Sequence, residues 1–152
     1  MGITNDLWIS TFSKGMKRMS PEKAQELINI YPELFSDLSE FNCMRLFGFE
    51  CGDGWFDLLK DLITQIKAVC EREEFRDPFE DEPIQLKVDQ VKEKYGTLRF
   101  YTNFDPESID QLVKEAESRS AITCEDCGKP GSIREKHHWY RVRCDECWDN
   151  WK

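Results

Sequence analysis

Trp55, Leu58, Leu59, Leu62, Ile63, Ile66 and Val69 recur three and four residues apart. That spacing makes one broad apolar stripe on a helix from Trp55 to about Glu73, with Lys60, Asp61, Gln65 and Lys67 on the opposite face. Residues 4 to 19 predict a shorter amphipathic helix through Leu7, Trp8, Ile9 and Phe12. Ser20-Pro21-Glu22 reads as a helix start, because serine caps, proline fits the first turn and the acid meets the helix dipole. This helix carries Ala24, Leu27 and Ile28 and stops at Tyr31, before Pro32. A further short helix is predicted from Glu33 to Phe41. Asp105-Pro106-Glu107 opens a last one, with Ile109, Leu112, Val113 and Ala116 apolar.

One stretch alternates instead. Ile84, Leu86 and Val88 share one strand face, with Lys87 and Asp89 on the other. Tyr95-Gly96-Thr97 supplies a turn and Leu98 to Tyr101 returns, so residues 84 to 101 predict a β-hairpin. The apolar phase shifts between Val88 and Val91, which predicts a bulge near Asp89-Gln90. Lys92, Lys94 and Arg99 lie on adjacent strands of this hairpin, with Gln90 and Tyr101 in the same parity, so their heads can converge on an anion. The competing reading is a solvated polar face whose lysines are neutralised by Glu93 and other acids. Before the long helix, Gly52 and Gly54 flank Asp53. They allow a tight turn capped by Asp53 and a close approach of ligand or partner beside Asp53 and Trp55.

The chain has 152 residues, 39% of them apolar and 12% aromatic, which is enough for a core and too much for a disordered chain. Its net charge of -9 argues against a general nucleic-acid coating protein. Residues 71 to 83 hold seven acids and two arginines and read as a solvated acidic loop, or as a docking patch for a basic partner. No apolar run is long enough to span a membrane. The N-terminus does not read as a secretory signal, so a cytoplasmic location is expected.

Seven cysteines, an odd number, argue for a reducing compartment. Cys43, Cys51 and Cys70 sit among apolar residues and read as buried small hydrophobes. Cys124-Glu-Asp-Cys127 and Cys144-Asp-Glu-Cys147 are separated by sixteen residues. Two such knuckles supply the four sulfurs of one structural Zn2+ site, and Gly128 fits the turn after the first. Four protein ligands close the site, so it stabilises and does not hydrolyse. His137 and His138 are read as neighbours on a strand, pointing apart. From residue 119 onward the side chains sum to +1, against -10 before it, and Arg141 and Arg143 share one strand face.

These pieces give an α+β fold: a helical N-terminal segment (1–46), an α+β core (47–118) in which the long helix packs on a small antiparallel sheet, and a C-terminal zinc ribbon (119–152). The ribbon is expected to pack on the core, with at least one ring of Trp139, Trp148 or Trp151 against it. CGDGW before the long helix, QVKEKYGTLRFY on the hairpin, AESRS, and the pairs in CEDCGKPG and CDEC together resemble a widespread family of small phage and prophage proteins with a C-terminal zinc ribbon. The resemblance covers roughly residues 47 to 152. It implies a phage context and an α+β core joined to the ribbon, and it carries no activity with it.

No P-loop, HExxH, GxSxG or paired His/Asp metal motif is present, so an enzyme reading is poor: Asp53 or a free cysteine could act, but nothing near them in the sequence supports it. The expected function is a zinc-ribbon protein that binds a host protein in the host cytoplasm and inhibits or redirects it, for example in host defence. The alternative is a binder of a phosphate-containing ligand, either a nucleotide signal or nucleic acid. The expected surface in either case is Asp53, Trp55, Lys92, Lys94, Arg99, Tyr101, Arg141 and Arg143.

Overall fold

The computed structural model describes residues 18–37 and 39–151. The helix predicted over residues 4 to 19 lies almost wholly outside them. Helix α1 spans Pro21–Ile30 with proline in its first turn. Ser20 occupies the cap position, but its side chain makes no capping bond. Its backbone N–H donates instead to Asp53 Oδ1 at 2.8 Å. The Asp53 carboxylate therefore ties the start of α1 to the 52–55 turn and does not cap the long helix.

The helix expected from Glu33 to Phe41 is a 3₁₀ turn, Pro32–Phe35, followed by a separate helix α2, Cys43–Phe47. Local side chains divide the two. Asp37 Oδ1 accepts from Ser39 N at 2.9 Å, and Asn42 Oδ1 accepts from Arg45 N at 2.8 Å. Such bonds offer the backbone an alternative to a continuous helix. Strand β1 (Phe49–Glu50) and a 3₁₀ turn (Asp53–Trp55) lead into helix α3, Phe56–Arg72. Its predicted stripe is all buried from Leu58 to Val69.

Strands β2 (Val88–Lys94) and β3 (Thr97–Thr102) form the antiparallel hairpin, and the register shifts between Val88 and Gln90, at the predicted bulge. Strand β1 pairs parallel to β2, so this sheet is mixed, in the order β1-β2-β3. Ile84 and Leu86 stay outside the strand. Asn103 holds that segment with its side chain, accepting from Lys87 N at 2.8 Å and donating to Gln85 O at 3.0 Å. Helix α4, Glu107–Ser120, buries Ile109, Val113 and Ala116. Its last residue, Ser120, accepts the Leu98 N–H at 2.9 Å and so covers part of the β3 edge.

Val88, Val91, Leu98 and Phe100 pack in one core with the apolar faces of α1, α3 and α4. Gln90, Lys92, Lys94, Arg99 and Tyr101 stay half-buried or exposed. Cys51 lies in the core, while Cys43 and Cys70 are half-buried. Beyond α4 come strands β4 (Ser132–Lys136) and β5 (Trp139–Arg143), an antiparallel pair, and helix α5 (Asp145–Asp149). None of the three ribbon tryptophans joins the core, contrary to expectation. Trp148 and Trp151 pack on each other, 5.1 Å between centroids, under Arg134 and Lys136. Trp139 is exposed. No helix among the described residues is long and apolar enough to cross a membrane.

Candidate metal centre and the joint beneath it

The Sγ atoms of Cys124, Cys127, Cys144 and Cys147 all lie within 4.8 Å of one another. Cys127 and Cys144 Sγ are 3.6 Å apart. Tetrahedral coordination at a metal–sulfur distance of about 2.3 Å needs sulfurs about 3.8 Å apart, so the four side chains are arranged for an ion. The local backbone explains the arrangement. Gly128 takes φ +81° and donates its N–H to Cys124 O at 2.9 Å, closing the first knuckle. In the second, Cys144 precedes α5 and its sulfur accepts the Cys147 N–H at 3.4 Å. Cys124 and Cys144 are buried, Cys147 is half-buried and Cys127 is exposed. Four thiolates leave no coordination position for water or substrate.

Of the two residues between the first two ligands, Glu125 turns inward. Glu125 is 2% exposed. Its carbonyl accepts Gly54 N–H at 2.8 Å, and its carboxylate accepts Gly52 N–H at 2.9 Å. A Cβ on Gly52 would stand 2.5 Å from Glu125 O, and one on Gly54 would come closer still to Cys124 O. The two glycines admit this chain's own knuckle, not an outside ligand. Trp55 is wholly buried beside them, and its Nε1–H donates to Thr123 O at 2.9 Å. Arg143 is 1% exposed, with Nη1 3.3 Å from Glu125 Oε1 and Nε 2.7 Å from Asp126 Oδ2. The contact to Asp126 is an ion pair without hydrogen-bond alignment.

The expected binding set therefore divides. Trp55 and Arg143 are buried parts of the joint, and Asp53 is half-buried with its carboxylate engaged by the Ser20 N–H. Arg141 is largely neutralised: its Nη1 meets Glu93 Oε2 at 2.5 Å, with both side chains mostly covered. Glu93 accepts Gly96 N–H at 3.0 Å with its other oxygen. Burial raises the Glu93 pKa, although that N–H and Arg141 both favour the ionised form. Burial likewise pushes the Cys51 thiol well up, so it is inert at neutral pH. The structure does bring Lys92, Lys94, Arg99 and Tyr101 together on one sheet face, with Lys92 directly opposite Arg99.

Sequence reasoning missed a cleft of about 480 Å³ where the two hairpin tips meet. It is lined by Glu93, Lys94, Tyr95 and residues 137–141. Tyr95, Trp139 and Tyr140 expose 69%, 60% and 45% of their surface. His137 and His138 form the β4–β5 turn and are not on a strand. They take φ of +52° and +67°, and Tyr95 takes +53°. The signal was available in part, since a tight turn between the two ribbon strands had to fall near these residues. Neither glycine nor asparagine marks it. Comparison with protein-family models, curated proteins and solved structures found no match for this chain.

Proposed function

We propose that this is a non-enzymatic zinc-ribbon protein that docks a partner protein in the cleft between its two hairpin tips. The four cysteines hold one structural Zn2+, which fixes the base of β5 and hence the cleft wall that β5 carries. Thiolate ligands of this kind persist in a reducing cytoplasm. Read with the resemblance to phage and prophage proteins, the partner is a host protein that is inhibited or redirected.

The observation that carries this reading is the backbone of the two turns. Three ring-bearing residues, Tyr95, His137 and His138, adopt left-handed conformations and line the same cleft. Each such placement is costly for a residue with a Cβ, and tight hairpin turns ordinarily use Asn-Gly. Strain gathered beside exposed Tyr and Trp rings points to binding, and such rings dominate protein-docking hot spots. Neutralisation of Arg141 by Glu93 makes the cleft an aromatic site more than a cationic one.

A photo-crosslinking residue at Tyr140, and another at Glu107 as a distant control, tests this in host cells. One protein captured from position 140, absent from position 107 and lost when Trp139→Ala is added, is the expected result. Identical capture from both positions, or capture indifferent to Trp139→Ala, would overturn it.

A further inference from the structure

We infer that the outer face of the β1-β2-β3 sheet is a separate binding site for phosphate-bearing nucleotides, built from Lys92, Lys94, Arg99 and Tyr101. This goes beyond the protein-docking reading and does not depend on it.

The argument begins with a mismatch. Lys92 stands directly opposite Arg99 in the antiparallel ladder, and Lys94 lies two residues further along the same face. Like charges directly opposite each other destabilise a sheet. Lys92 has Glu50 as its other neighbour, on β1, but Arg99 on the edge strand faces Lys92 alone and no acid stands across from it in the ladder. A bound anion turns the repulsion into convergence. Arg99 is already oriented: its Nη1 donates to Thr97 Oγ1 at 2.7 Å and to Leu98 O at 2.9 Å, which lays the guanidinium along β3 and leaves its remaining donors available.

Two carboxylates border the face. Glu50 is beside Lys92 in the parallel register, but it is 9% exposed and accepts from Gln90 Nε2 at 3.1 Å. Glu117 on α4 is close to Arg99. Burial raises its pKa, with Arg99 acting in the other direction. Among the described residues, neither forms an ion pair with Lys92, Lys94 or Arg99. Lys94 Nζ stands 5.8 Å from the Tyr95 ring centre. Tyr101, 39% exposed, lies at the far end of the same face, opposite Gln90. Cations that track a phosphate chain, with an aromatic ring on which a base can stack, make up the anatomy of a single-strand or nucleotide site. Lysine and arginine heads bind the phosphate oxygens.

The test is fluorescence anisotropy of the full chain, metal-loaded, with a 5′-fluorescein-labelled twelve-nucleotide oligothymidylate and with ATP as competitor. Binding is expected at low salt. With about three phosphates engaged, it should weaken roughly twentyfold between 50 and 200 mM salt. Lys92→Glu is the informative variant. It reverses one phosphate-facing charge and should lower affinity at least about tenfold while far-UV circular dichroism and bound metal stay those of the parent, a combination that a damaged fold cannot produce. Tyr101→Ala should cost about fivefold or more. Displacement by ATP assigns the site to free nucleotides, and resistance to ATP assigns it to single strands. If neither the oligonucleotide nor ATP binds at low salt, or if Lys92→Glu binds like the parent, the inference is wrong.

Discussion

The two β-hairpins of this chain are alike at their tips and different at their bases. Each turns through residues in left-handed conformations, Tyr95-Gly96 in one and His137-His138 in the other. The β2–β3 hairpin buries Val88, Val91, Leu98 and Phe100 in the helical core. The β4–β5 hairpin buries only Val142 and Arg143 from its ten strand residues. What it lacks in apolar burial it replaces with four converging sulfurs, the Arg143 ion pairs and cations over Trp148 and Trp151. One hairpin stands on the hydrophobic effect, and the other on charge and on four sulfurs arranged to hold an ion. They should therefore fail under different insults, and the Glu125 joint decides how far one failure reaches the other.

The largest expected effect is loss of a metal ligand. Structural zinc contributes on the order of 10 kcal/mol in small domains. Cys124→Ser should abolish stoichiometric metal and unfold β4–β5, while far-UV circular dichroism keeps most of the helical signal of α1, α3 and α4. Complete loss of that signal would erase the distinction between the two bases.

Core truncation should do the reverse. Ile63 is fully buried on α3, and Ile63→Ala should cost about 3 kcal/mol in denaturant unfolding. Metal stoichiometry in the folded protein should be unchanged. Gly54→Ala addresses the joint itself. Its Cβ must push the first knuckle away, at a cost of roughly 1 to 3 kcal/mol. Metal should then exchange faster with a competing chelator, which Ile63→Ala should not cause.

The smallest effect belongs to the Arg141–Glu93 bridge, and its sign depends on pH. A carboxyl whose pKa is raised on folding holds its proton more readily in the native state, so its contribution falls as pH rises through the carboxylate range. Arg141→Ala removes the partner that offsets this. The loss should be about 1 kcal/mol at neutral pH and should shrink toward zero in acid, where Glu93 is protonated. Melting temperatures of both proteins across pH 4 to 8 would read it. A constant difference would mean that Arg141 acts through packing alone.

The readable parts of the molecule were those whose cause is local. The α3 stripe, the hairpin with its bulge and the two cysteine pairs each declare themselves within a few residues of chain. The misread parts depend on distant partners. Gly52 and Gly54 did signal a close approach, but the backbone that approaches is Glu125, some 70 residues away. Trp55 was a surface candidate because glycines flank its turn and Arg143 because of its charge, and the acids Glu125 and Asp126 inside the first knuckle were the hint that Arg143 turns inward. Strand β1 is two residues long and pairs in parallel across some 40 residues, so no alternation could reveal it. His137-His138 hid a turn because its residues are not the ones a turn prefers.

The central claim is that the ribbon is held by its metal and joined to the core through Glu125. Hydrogen exchange of the metal-loaded protein, resolved by peptide and repeated after chelation, tests it most directly. The account predicts lost protection from 124 to 147 together with the Gly52 and Gly54 amides, while α3 and β2–β3 exchange as slowly as before. Unchanged exchange in the ribbon after the metal is gone, or uniform loss across the whole chain, would contradict it.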